Sequence, residues 1–271
     1  MKIYGQTHSP WVQAVLLGAT EKRIEHQLIT ATPREVLSRW GVLMPAARFG
    51  SEDWMRNSPD ILTHMGFAPL EDGLMGNLQA AWMGVLHRPD NPLAFFREFS
   101  FAGDPSQSWF RRTTQNFLRS FSAFYFFLLI RSVMVFAKPQ EPENFGDQFV
   151  FWEERLKNKG TTFLGGDAPN SEDCLLFGIM QCHCSVPVPP MLALQNDERL
   201  VLLRQWIISM QERFKDYPFL YSARYFGNSA QAAKPASGWD QLCFWTGLTT
   251  WFLIFPVTVP LVIYLRRKVS T

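Results

Sequence analysis

The chain has 271 residues, with 26 Lys and Arg against 24 Asp and Glu, for a formal net charge of +2. That length suits one large or two small domains, and the near balance of charge, with no basic stripe interleaved with aromatics, excludes a nucleic-acid surface. Cys174, Cys182, Cys184 and Cys243 sit in apolar surroundings and form no disulfide framework; Cys182-His183-Cys184 lacks a second ligand pair, so no metal site is expected. The 24 Phe and 10 Trp are many, and their clustering in the middle and at the C-terminal end points to membrane contact. The first residues lack a charged n-region before an apolar core, so a reducing, cytoplasm-facing compartment is the expectation.

In chain order, residues 1–5 read as a strand that runs into Ser9-Pro10-Trp11-Val12, a turn feeding a helix. Pro10 stands near the first helical turn, where its missing N–H costs nothing. A strand over 24–30 follows, then a short helix over 33–40 stopped by Gly41. Two strands near Pro45 and over 53–55 make a hairpin turning at Gly50-Ser51, and a helix starts near Ser58 with Pro59 in its first turn. Asp60 lies close to the positive end of that helix.

This order, with Ser9 after the first strand, Met44-Pro45 before the third and Asn57-Ser58 before the helix, resembles the thioredoxin-like domain of the glutathione transferases. The resemblance implies that Ser9 faces the glutathione sulfur, that Pro45 is cis so the Met44 backbone clasps the tripeptide, and that Asn57 and Ser58 hold the γ-glutamyl end. Asn57 stands where that family carries Glu or Asp, so its contact with the α-amino group is neutral and glutathione binding is expected to be weak. His8 is left outside the mechanism, because strand alternation would point it away.

Residues 66–76, rich in Gly and Pro, read as a linker. Helical periodicity begins at Asn77 with Leu78, Ala81, Trp82 and Val85. The segment from Phe163 to Phe177 resembles the capping segment before the central helix of the glutathione transferase C-terminal domain. Its physics is independent of that likeness: Asn170 caps, Asp173 answers three residues on, and an apolar run follows, a folding role worth about 1 kcal/mol per cap. A helix over 198–214 puts Leu202, Leu203, Trp206, Ile207 and Met210 on one face.

Two stretches depart from a soluble transferase. Residues 121–137 are almost wholly apolar, suiting a core helix or an interfacial one. Residues 242–265 carry no charge and end on Arg266-Arg267-Lys268. As a helix they extend about 36 Å, enough to cross a bilayer, with Trp245, Trp251 and Tyr264 as anchors and Pro256 and Pro260 as kinks.

The resulting expectation is an α/β thioredoxin-like domain (1–65), a linker (66–76), an all-α helical domain (77–227), a tether (228–241), a transmembrane or membrane-embedded helix (242–265) and a basic tail (266–271). The implied function is that of a membrane-anchored glutathione transferase-like protein, with glutathione as co-substrate, conjugating or reducing an apolar electrophile. The globular part would face the cytoplasm, at a bacterial inner membrane or a mitochondrial outer one. The alternative is a non-catalytic scaffold of the same fold, like the metaxin-like and stringent-starvation-type relatives, docking a protein partner through residues 121–136. A homodimer is a further expectation.

Overall fold

The computed structural model describes residues 1–7, 9–41, 43–83, 108–110, 113–114, 116–118, 120, 144–185, 189–227 and 237–269. The N-terminal unit runs β1 (Lys2–Tyr4), α1 (Pro10–Glu21), β2 (Gln27–Ile29), α2 (Arg34–Trp40), β3 (Ala46–Arg48), β4 (Met55–Arg56) and α3 (Ser58–His64). Its sheet has the order β2-β1-β3-β4, with β2 parallel to β1 and both β3 pairings antiparallel. A βαβ unit followed by a hairpin and a helix in this strand order is the thioredoxin-like topology that the sequence led us to expect.

Alternation sets the two faces of the sheet. Ile3 and Ala47 pair across β1 and β3 and face the main core, whereas Tyr4 and Ala46, also paired, join Val36 and Trp54 under α2. Gly41 ends α2 with φ of +69°, a conformation that favours glycine, as the sequence indicated.

The helical unit comprises α4 (Leu74–Met83), α5 (Asp147–Lys159), α6 (Ser171–His183), α7 (Pro189–Asn196) and α8 (Val201–Arg213), then a 3₁₀ turn (Tyr221–Arg224) and a long α9 (Gly238–Val269). All of α6 is buried, which marks it as the axle of the fold. It crosses α1 at Gly178, where an added Cβ would collide with Pro10 O and come within 3.0 Å of Ala14 N. One hydrophobic core therefore runs from Ile3 and α1 through α6 to Trp206 and Phe214.

The expected cap is present and carries more than a cap. Asn170 accepts from Asp173 N at 3.0 Å and Asp173 answers Asn170 N at 3.0 Å. The same buried carboxylate also accepts from Leu164 N, Gly165 N and Trp206 Nε1 at 2.8–2.9 Å. Burial pushes the Asp173 carboxyl up, against the pull of those donors.

Several expectations need correction. Among the described residues, no helix is long and apolar enough to cross a membrane, so the spanning helix expected over 242–265 is not supported. The helix that does form begins earlier, at Gly238, inside the expected tether of 228–241. Ser237 starts it by accepting from Asp240 N at 3.2 Å and donating to the Asp240 carboxylate at 2.6 Å. The helix also continues to Val269, through most of the expected tail of 266–271, and contains Pro256. Asp240, Cys243, Phe244 and Gly247 are buried at helical spacing, and Asn116 donates to Asp240 at 2.9 Å. The linker expected over 66–76 ends early, because α4 starts at Leu74. Residues 121–137, and with them the partner surface expected over 121–136, lie outside the described residues.

Candidate functional site

The two ladders bring three separate segments to one end of the sheet. Tyr4 pairs with Ala46, and Ala46 with Arg56; one step further along both registers, Gly5 and Asn57 flank Pro45. The Met44–Pro45 bond is cis, as the resemblance implied. Met44 packs against the loop after β1: a Cβ at Gly5 would lie 3.4 Å from Met44 Cβ, and Gln6 N–H points at Met44 Sδ over 3.3 Å. Neither Met44 N–H nor Met44 C=O has a backbone partner among the described residues, which leaves both for an extended ligand chain.

Ser9 stands in the same loop as the N-cap of α1, with extended backbone and Pro10 at the first helical position. Its side chain makes no capping bond. An N-cap serine ordinarily spends its hydroxyl on the N–H groups of the first turn; this half-buried hydroxyl has no partner among the described residues, so it is available to a ligand. The α1 N-terminus contributes a positive partial charge beside it.

At the other side of Pro45, Asn57 takes the N-cap position of α3 with φ of +83°, and Ser58 is the first helical residue rather than the cap. Ser58 is buried, whereas Asn57 is exposed and donates through Nδ2 to Asp60 at 3.0 Å. A carboxylate is therefore present at this corner, three residues beyond the position where the resemblance places one. Ser9, Met44, Pro45, Asn57 and Ser58 thus share one edge of the sheet. His8 lies outside the described residues.

Reading the sequence alone missed four residues around this loop. Gln13, fully buried in α1, donates through Nε2 to Thr7 O and accepts from Tyr217 Oη at 2.9 Å. The Thr7 hydroxyl meets the Tyr221 hydroxyl at 2.8 Å. The available signal was Gln13 itself, a lone amide within the apolar run Trp11 to Leu17. The tyrosines, some 200 positions away, offered none.

The thiols contribute nothing here. Cys174, Cys182 and Cys184 are buried, and burial pushes each thiol up, away from reactivity. Among the described residues, no cluster of His, Cys, Asp and Glu is placed to hold a metal. An open apolar groove of about 410 Å³ lies elsewhere, between Thr113, Phe117 and Leu118 on one side and Leu242, Cys243 and Thr246 of α9 on the other. It includes none of the sheet-edge residues, and the chemistry favours the polar edge.

No protein-family model matches the chain, and no curated protein matches it. Solved structures do. Gtt2 from Saccharomyces cerevisiae is similar at 14% identity over 81% of this chain and 98% of that one, with a TM-score of 0.42. Glutathione transferase F2 from Populus trichocarpa shares 15% identity over 81% and 94% of the two chains, also at 0.42. A theta class glutathione S-transferase from Xanthomonas axonopodis pv. citri, with glutathione bound, shares 14% over 81% and 94%, again at 0.42. At these TM-scores the likeness assigns nothing to this chain.

Proposed function

We propose that the chain binds glutathione along the Ser9–Pro45–Ser58 edge and uses its sulfur against an apolar electrophile, as a glutathione transferase-like enzyme. The observation that carries this reading is the Ser9 hydroxyl, left uncommitted at a helix N-terminus beside the cis Met44–Pro45 bond. A hydroxyl donating to sulfur favours thiolate over thiol, as does the partial charge of α1, and the thiolate is the nucleophile. It attacks the electrophilic carbon, the leaving group departs with its electron pair, and the thiol proton goes to solvent. The Met44 N–H and C=O would pair with the cysteinyl backbone, and Ser58 would hold the γ-glutamyl carboxylate through its N–H and hydroxyl.

Titration calorimetry on the full chain tests the binding half. Millimolar binding is expected for the wild type, since a neutral amide at 57 forgoes about 1–2 kcal/mol of charge-assisted contact with the α-amino group. Asn57→Asp should tighten it about ten-fold. No heat from either folded protein would sink the enzyme reading and favour a scaffold.

We propose further that α9 embeds shallowly in a membrane, with the globular units on the cytoplasmic side. Supporting this, Phe252, Leu253 and Val257 are 66%, 70% and 69% exposed beyond the protein-packed first half of the helix, and residues 242–265 carry no charge. Apolar side chains exposed side by side mark an interaction face, and aromatic-rich faces suit the bilayer interface. The triple variant Phe252→Asp, Leu253→Asp, Val257→Asp should move the folded protein from the membrane pellet to the supernatant. Unchanged pelleting would refute the embedding.

A further inference from the structure

The loop that carries Ser9 is gripped from the far end of the chain. Gln13 lies one turn into α1 with its side chain fully buried, where an unpaired amide would be costly. Both ends of the amide are paired, and the pairing has one sense. Thr7 O is only an acceptor, so it requires the Nε2 end; the Tyr217 hydroxyl, at 2.9 Å, then donates to Oε1. Burial pushes the Tyr217 phenol well up, keeping it a donor. The Gln13 N–H also bonds Ser9 O at 2.9 Å, Ser9 N bonds Gln6 O at 3.0 Å, and the Thr7 hydroxyl meets that of Tyr221 at 2.8 Å.

We infer that Gln13, oriented by Tyr217, is the positioning residue of the Ser9 site: it fixes the first turn of α1 from within and so releases the Ser9 hydroxyl from capping. In an ordinary helix start the N-cap side chain itself tethers the loop to the turn. Here the tether runs from Gln13 to Thr7, two residues before Ser9, and the helical unit locks its direction through Tyr217. The two units are thereby coupled at the point where the sulfur would sit. A displacement of the segment containing Tyr217 and Tyr221 would loosen the loop without touching Ser9. The catalytic consequence rests on the reading that Ser9 acts on glutathione; the tether itself does not.

The experiment has two arms on the full chain. In hydrogen exchange followed by mass spectrometry, Tyr217→Phe should speed exchange of the amides in peptides covering 5–13 by about ten-fold, with peptides in α6 unchanged. Tyr221→Phe, a milder change, should speed it less. Unchanged exchange over 5–13 in both variants, or loosening spread evenly through α6, overturns the tether. In the kinetic arm, Tyr217→Phe should lower kcat about ten-fold while the glutathione KM stays within about two-fold, and should raise the apparent thiol pKa in the pH profile of kcat/KM. Equal kcat and an unmoved profile overturn the positioning role. If the wild type shows no turnover, the proposed enzyme falls, and the exchange arm still decides the tether.

Discussion

Replacing Asp173 with asparagine removes one charge and nothing from the shape, and the structure makes its cost calculable. One carboxylate oxygen accepts from Leu164 N and Trp206 Nε1, the other from Gly165 N and Asn170 N. Whichever way an asparagine amide turns, its NH₂ faces two donors. Two N–H groups lose their acceptor, at about 1–3 kcal/mol each when buried and toward the low end for Gly165 N and Asn170 N, which are only partly buried. Against this, burial of the carboxylate carries a desolvation penalty that an amide avoids, so the net loss should be about 2–4 kcal/mol. For a chain of this size that corresponds to a melting point lowered by roughly 4–16 °C. Urea denaturation followed by tryptophan fluorescence, with thermal melts alongside, reads both. A loss below about 1 kcal/mol, the worth of an isolated helix cap, would refute Asp173 as the hub joining α6, α8 and the 163–166 turn.

His183 makes a pH prediction. Buried between Trp82 and Phe149, with Nε2 on Ala81 O at 3.0 Å, its ring is pushed down by burial to a pKa of about 4. The unfolded chain binds the proton near the ordinary 6.5 and the folded chain only near 4, so its contribution to stability is complete above 6.5 and is lost as pH falls from there to about 4, by up to about 3 kcal/mol. Urea midpoints at several pH values for the wild type and His183→Gln should diverge in that window; parallel curves would contradict it. Gly178→Ala should cost about 1–3 kcal/mol by overpacking against the α1 backbone and should weaken glutathione binding by shifting the Ser9 turn. A melt within error of the wild type would mean that α1 and α6 are less closely apposed.

What was legible in the sequence was local. Ser9 ahead of Pro10 and the Asn170–Asp173 box are each specified by residues within a few positions of one another, where backbone chemistry leaves few choices, whereas the cis Met44–Pro45 bond was expected only through the family resemblance. The partners of those residues were not legible. Trp206 reaches Asp173 and Tyr217 reaches Gln13 only because α1 crosses α6 and α8 packs alongside, a tertiary arrangement that no spacing encodes. The start of α9 was missed for a different reason: the absence of charge from Leu242 onward outweighed the Ser237–Asp240 cap signal just before it.

The most direct test of the central claim is Ser9→Ala in the full chain, assayed on a generic aromatic electrophile at saturating glutathione, with binding followed by calorimetry. The hydroxyl is proposed to act on charge developing at sulfur rather than on holding the tripeptide, so turnover should fall by about 10²-fold while the dissociation constant changes less than about three-fold. An unchanged rate in a folded, glutathione-binding Ser9→Ala protein would remove Ser9 from the chemistry and contradict the account.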